Sequence, residues 1–177
     1  MTCRSISKHN FRKKQGLHNT PVSFENINLP SYISGYIDGE GSFCVSISKS
    51  ARHKFGWEVR PSFSVSQNVD RSEVLEYIKH YFKCGSIRSN VSDNTLKYEV
   101  RSIKDLMNTI IPHFEKYKIL SGKSRDFDKF KKVCELVVSK KHLEKEGFNE
   151  IISIISTMNP SGTRKYSPQE IRYSQCR

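Results

Sequence analysis

Asp38 and Glu40 stand two residues apart, each followed by a glycine, within Leu29-Pro30-Ser31-Tyr32-Ile33-Ser34-Gly35-Tyr36-Ile37-Asp38-Gly39-Glu40-Gly41-Ser42. A carboxylate beside an accessible backbone carbonyl, as Glu40 is beside that of Gly39, makes a donor set for a hard divalent cation such as Mg2+. Such an ion serves attack on an anion: it neutralises phosphate oxygens, generates hydroxide and supports a leaving oxygen. These positions are costly for a helix. Acids at a C-terminal end oppose the macrodipole, and Gly35 in the interior costs about 1 kcal/mol against alanine. Several local rules broken together mark a functional or tightly packed site.

The element that must carry these groups is a helix with Asn28 as its N-cap and Pro30 in its first turn. Ser31, Gly35 and Gly39 recur every fourth residue, forming a small-residue stripe along which a second helix can come close. Asp38 lies beside that stripe as a structural residue rather than a metal ligand, so Ser31, Gly35, Asp38 and Gly39 are the candidate contacts to a second helix. Ile33 with Ile37, and Tyr32 with Tyr36, form pairs on the other faces. Two Glu40 carboxylates brought together would repel, and a cation beside them relieves this. Gly41 ends the helix, and Ser42 begins an alternating strand.

The run Ile33-Ser34-Gly35-Tyr36-Ile37-Asp38-Gly39-Glu40-Gly41 resembles the defining motif of the LAGLIDADG homing endonucleases, for which Gly-Glu-Gly is a common ending. A merely buried helix with a glycine kink would leave Glu40 unexplained. The resemblance implies an α+β fold of αββαββα topology, with an antiparallel four-stranded saddle sheet and extra C-terminal helices. A single motif copy implies a homodimer with two motif helices on the dyad. The implied activity is Mg2+-dependent, site-specific cleavage of double-stranded DNA at a long pseudo-palindromic site, with Mn2+ or Ca2+ as substitutes in binding. The implied origin is an intron of an organelle, chloroplast or mitochondrion. Two other functions on the same fold stay open: an RNA-binding intron maturase and a DNA-binding regulator. A retained Glu40 favours the nuclease, since a pure binder needs no acid there.

Composition bounds the rest. The chain of 177 residues is long enough for one domain with a real core. Lys and Arg total 30 against 18 acids, a formal +12, which favours a polyanionic partner. No apolar run is long enough to span a bilayer, so no membrane partner is expected. There is no P-loop or Rossmann glycine pattern, so no nucleotide cofactor is expected either. The five cysteines are scattered without a CxxC pair and the six histidines lack ligand spacing, which disfavours zinc and disulfides. Residues 1–25 are expected to be a flexible basic arm, of a composition shared with transit peptides. Residues 26–158 would form the endonuclease domain and 159–177 a basic tail.

Along the chain, alternation predicts strands at about 42–50 and 57–67, separated by the basic turn Arg52-His53-Lys54. Pro61 suggests an edge or a bulge. Asp70-Arg71-Ser72-Glu73 has capping-box spacing and predicts a helix ended by Gly85. A second hairpin runs through Asp93-Asn94, and Ser102 caps a third helix that Pro112 need not end. Amphipathic helices are predicted at about 122–138 and 143–157, the latter with Leu143 inward, and a short one after Ser167.

Helices on one side of such a sheet leave the other side to solvent. By parity that side carries Ser46, Ser48, Glu58, Arg60, Ser62, Ser64, Ser66, Arg88, Asn90, Lys97, Glu99 and Arg101. In a major groove Arg suits guanine, Asn adenine, and Glu accepts from cytosine, while serines leave room for water. With Arg52, His53 and Lys54 these are the candidate DNA contacts; the alternative is an ordinary solvated strand face. By resemblance, Gln67 and Arg71 match a family segment placing a glutamine and a base near the scissile phosphate. There Gln67 would orient water and Arg71 hold phosphate charge. Lys123, in Ser121-Gly122-Lys123-Ser124, resembles the family's late-helix lysine and would stabilise charge or perturb the water network, with Lys116 and Lys118 as rivals. The implied catalytic set is Glu40, Gln67, Arg71 and Lys123, with Glu40 and Gly39 as metal ligands.

Overall fold

The computed structural model describes residues 27–53, 55–90, 93–160, 162 and 164–173. The basic arm expected over 1–25, and Lys54, lie outside the described residues. The elements are α1 (Leu29–Glu40), β1 (Gly41–Lys49), β2 (Trp57–Asn68), α2 (Glu73–Phe82), β3 (Ser86–Asn90) and β4 (Thr95–Val100). They continue with α3 (Ile103–Asp105), α4 (Ile111–Lys116), α5 (Lys123–Val138), α6 (Lys145–Ser156) and α7 (Pro168–Tyr173). The strands form one antiparallel sheet in the order β1-β2-β4-β3. This is the expected α+β arrangement, αββαββα followed by further helices.

The helices cover one face of the sheet because that face holds the large apolar residues. Phe43 of β1 is the hub. Its ring centroid lies 5.3 Å from Phe63, 5.3 Å from Phe114, 5.2 Å from Phe127 and 5.4 Å from Phe130. Ile33 and Ile37 anchor α1 in this core, and Asn28 caps it through Ser31 N at 3.2 Å. Residues expected in the tail also pack on this core. Asn159 Nδ2 donates to Phe43 O at 2.9 Å, Tyr166 meets Trp57 edge-on at 4.9 Å, and Ile171 is buried.

Several expectations need correction. The Asp70–Glu73 capping box does not form. Val69–Arg71 is a 3-10 turn, and Ser72 precedes α2 without a side-chain cap bond. Val69 N instead donates to Asn94 O, tying this turn to the β3–β4 connection. Helix α2 ends at Phe82 through left-handed Lys83, not at Gly85. Gly85, at φ 73°, lets the chain pass β4: a Cβ there would lie 2.8 Å from Glu99 O. Leu143 precedes α6 in a 3-10 turn and is exposed. Pro61 fits its expectation, since β4 pairs only with Phe63–Asn68 and leaves the first half of β2 with one neighbour.

Pro112 is absorbed by a π-helical segment, Leu106–Ile110, between α3 and α4. Proline lacks an N–H and crowds the carbonyl four residues back. Ile111 N reaches five residues back, to Leu106 O, and opens the turn. The next residue, His113, is buried in a relay across three helices. Ser34 Oγ donates to Tyr117 O at 2.8 Å, so it accepts from His113 Nε2 at 3.1 Å. Nδ1 then accepts from Tyr81 Oη at 3.1 Å. Burial pushes the imidazole down to about 4, so the ring is neutral at ordinary pH.

Candidate active site and nucleic-acid interface

The tip of α1 is built by exchange of charges with the start of α5. Lys123 sends its ammonium to three carbonyls at the tip: Ile37 O at 2.9 Å, Gly39 O at 3.2 Å and Gly41 O at 2.6 Å. A cation at a helix C-terminus meets the negative end of the macrodipole. In return the Asp38 carboxylate accepts from Leu120 N at 3.3 Å, Ser121 N at 3.1 Å and Ser121 Oγ, just before α5 begins. The Ser121 hydroxyl, then the backbone amides and Lys123, hold the Asp38 carboxyl below its usual range. Burial pulls the Lys123 ammonium down, opposed by Asp38 and Glu40. Gly41 is extended, at φ −79° and ψ 161°. It is needed for closeness, because a Cβ there would sit 2.4 Å from Ile37 Cγ2.

Gly39 and Glu40 themselves are exposed. The stripe above them is open as well: Ser31 is exposed, and a Cβ on Gly35 or Gly39 would meet nothing within 4 Å. Asp38 is engaged within its own chain, which accounts for it as a latch between α1 and α5. Its acidic neighbour Glu40 is a hard oxygen donor of the kind a Mg2+-like ion takes, and Gly39 O beside it is the tip carbonyl that Lys123 holds at the longest distance, 3.2 Å. Among the described residues no three metal-ligating side chains cluster, so one tip supplies only part of a coordination shell.

The other sequence candidates separate. Gln67, one parity step from Ser66, faces the helices and is half-buried. Its Nε2 donates to Tyr36 Oη at 2.7 Å and its Oε1 accepts from Asn68 N at 2.9 Å. It therefore rests against α1 one turn before Glu40. Arg71 is largely exposed beside Asp70 at 3.8 Å, on the 3-10 turn ahead of α2. Of the three lysine candidates Lys123 reaches the tip, while Lys116 lies over the Tyr117 ring and Lys118 is exposed. Ser121 and Tyr36 were missed by sequence reasoning. Ser121 pairs with Asp38 across 83 residues, and no local signal reports that.

Cross-strand register puts the candidate nucleic-acid contacts on one face. Ser48 pairs with Glu58, Ser46 with Arg60, Ser64 with Glu99, Ser66 with Lys97, and Lys97 with Arg88. Ser62 lies on the same face opposite Cys44, and Asn90 opposite Thr95. Arg52 is exposed at the hairpin end, and His53 Nδ1 lies 3.0 Å from Ser50 Oγ. Three members depart from an open face: Ser64 is 5% exposed, Glu99 7%, and the Ser48 hydroxyl is buried. Glu99 is bridged to Arg101 at 2.8 Å and Lys97 at 3.5 Å, so it does not stand out to accept from cytosine. Glu58 bonds Arg60 at 2.6 Å, which holds its carboxyl below the usual range. Asn90 Nδ2 donates to Asp93 at 2.9 Å. Both carboxylates on the face are thus paired, and its excess charge is positive.

Known proteins share this architecture. The family model for LAGLIDADG endonuclease matches residues 33–134. "Probable intron-encoded endonuclease 2" of Neurospora crassa is 35% identical over 163 residues, 89% of this chain and 36% of that protein. I-SmaMI bound to an uncleaved DNA target in the presence of calcium ions has a TM-score of 0.74 at 34% identity, covering 82% of this chain and 48% of that one. The homing endonuclease I-TnaI has a TM-score of 0.72 at 29% identity, covering 82% of this chain and 94% of that one. The chain spans about a third of the length of the first curated relative. With the motif on α1, the sheet beneath it and the family model across more than half of its length, this chain belongs to the LAGLIDADG endonuclease family.

Proposed function

We propose that the chain is a site-specific, double-strand DNA endonuclease that works as a homodimer. The observation that carries this is the open small-residue stripe of α1, which ends in an exposed Glu40 at the rim of a basic sheet face. A second α1 laid on that stripe brings two acidic tips together. The repulsion between them disfavours the pair unless a cation is shared. Glu40 and the Gly39 carbonyl of each tip would hold that ion, Mg2+ in the cell. It would supply charge neutralisation at the phosphate and acidify water.

The chain's own side chains do the rest. Lys123 and Asp38 fix the tip so that Glu40 is presented at a set height. Gln67, oriented by Tyr36, lies where an amide can position water, and Arg71 is exposed to take phosphate charge. The sheet rows from Ser48–Glu58 to Lys97–Arg88 run along a major groove, and Arg52 with His53 meet its outer backbone. Each half of a long pseudo-palindromic site would be read by one copy. An intron-borne gene in a mitochondrion or chloroplast fits the intron-encoded relatives.

The test is incubation of the chain with a duplex carrying the uninterrupted sequence of its gene's insertion point. Double-strand cleavage with Mg2+, absent with EDTA, is expected. Binding without cleavage under any divalent ion, or no binding at all, would reject the proposal.

A further inference from the structure

We propose that Glu99 is a positioning residue for base selection: its buried carboxylate ties Lys97 and Arg101 into one preset unit that favours guanine in each half-site. The proposal rests on the DNA-binding function above and concerns how that face discriminates. Glu99 is the one acid on the sheet face that is buried. Taking a carboxylate out of water is costly unless it is paired and hydrogen-bonded. Here it has two cations, Lys97 two residues before it on β4 and Arg101 two residues after it, just past the end of that strand.

The atoms used matter. The closest approach of the Glu99–Arg101 ion pair is Oε2 to Nε, at 2.8 Å, so the carboxylate sits on the Nε side of the guanidinium and its Nη1/Nη2 edge is left for a two-donor contact. That edge matches the two acceptors, O6 and N7, that guanine shows in the major groove. A guanidinium held this way loses less side-chain freedom when it docks. Arg60 is a contrast on the same face: Glu58 takes its terminal Nη2 rather than Nε, and that carboxylate is more exposed, at 28% against 7% for Glu99. The Arg60 pair consumes a base-reading donor, whereas the Arg101 pair spares both. Lys97, drawn to the other Glu99 oxygen at 3.5 Å, is kept off the phosphates. The carboxylate thus converts two cations that would grip any duplex into a unit that prefers particular bases.

The experiment selects bound sequences from a randomised duplex library with the 177-residue chain, in wild-type, Glu99→Gln, Arg101→Lys and doubly substituted forms. Expected is one guanine column in the wild-type half-site that falls about five- to tenfold in preference in both single variants. The double variant should lose no more, since both changes remove one unit. Glu99→Gln should also bind random duplex more tightly, with a salt slope steeper by about one, as Lys97 becomes free for phosphate. Uniform weakening of binding by Glu99→Gln, with the guanine column intact, would mark a merely structural carboxylate and overturn the inference while leaving the DNA-binding function standing. Should Glu99→Gln fail to fold, an unchanged column in Arg101→Lys overturns it equally. A wild-type chain that enriches no sequence removes both proposals.

Discussion

Replacing Gly35 separates what α1 does inside its own subunit from what it does outside. The position is helical, and a Cβ there would meet nothing within 4 Å. Within one subunit Gly35→Ala or Gly35→Leu therefore removes only the glycine penalty and should stabilise the monomer by about 0.5–1 kcal/mol. Against a second helix the sign reverses. A stripe of small residues permits close backbone approach, and a leucine in its middle wedges the helices apart. Overpacking of this kind costs about 1–3 kcal/mol, and at a dyad two copies of the leucine meet. Dimer dissociation should thus rise by at least about tenfold, by the ratio of 1.4 kcal/mol per decade. Urea unfolding at low protein concentration reads the first effect, and analytical ultracentrifugation reads the second. Gly35→Leu that is destabilised as a monomer, or that dimerises as the wild type does, would refute the assignment of the stripe to a helix–helix contact.

Two further outcomes follow from the site and its support. His113 is held neutral, with a folded value of about 4 against about 6.5 for a free ring. Its contribution is complete above pH 6.5 and is lost as the pH falls toward 4, about 3 kcal/mol in all. Urea midpoints of wild type and His113→Gln should therefore converge over that window, and parallel curves would contradict the buried relay. Lys123→Met removes the cation from the α1 tip and should cost about 1–2 kcal/mol in urea unfolding. Cleavage should fall far more than DNA affinity, and equal losses in the two would deny Lys123 its part in setting the tip.

Much of this was legible in the residues because local physics repeats. Asn28, Pro30 and the four-residue spacing of Ser31, Gly35 and Gly39 defined α1, and parity alone sorted Phe63 from Ser64 and Tyr98 from Lys97. Parity reports a face, however, not exposure. Glu99 lies on the solvent side yet is covered by the cations it recruits and the serines opposite it. The Asp38–Ser121 latch and the Lys123 clamp join segments more than eighty residues apart, beyond any window of local pattern. The capping-box signal at Asp70 lost to a tertiary bond, Val69 N to Asn94 O, that spends those residues on a turn. Arg71 was placed by resemblance, and its exposed position on that turn follows from the same bond.

The most direct measurement is made on Glu40→Gln, a change that keeps the shape of an exposed side chain while removing its charge. Duplex binding and Mg2+-dependent cutting of the same DNA are followed side by side with the wild type. The account predicts affinity within a few-fold and no detectable double-strand cleavage. Cutting at the wild-type rate would contradict it at its centre, because the acidic tip of α1 would then have no part in breaking the phosphodiester.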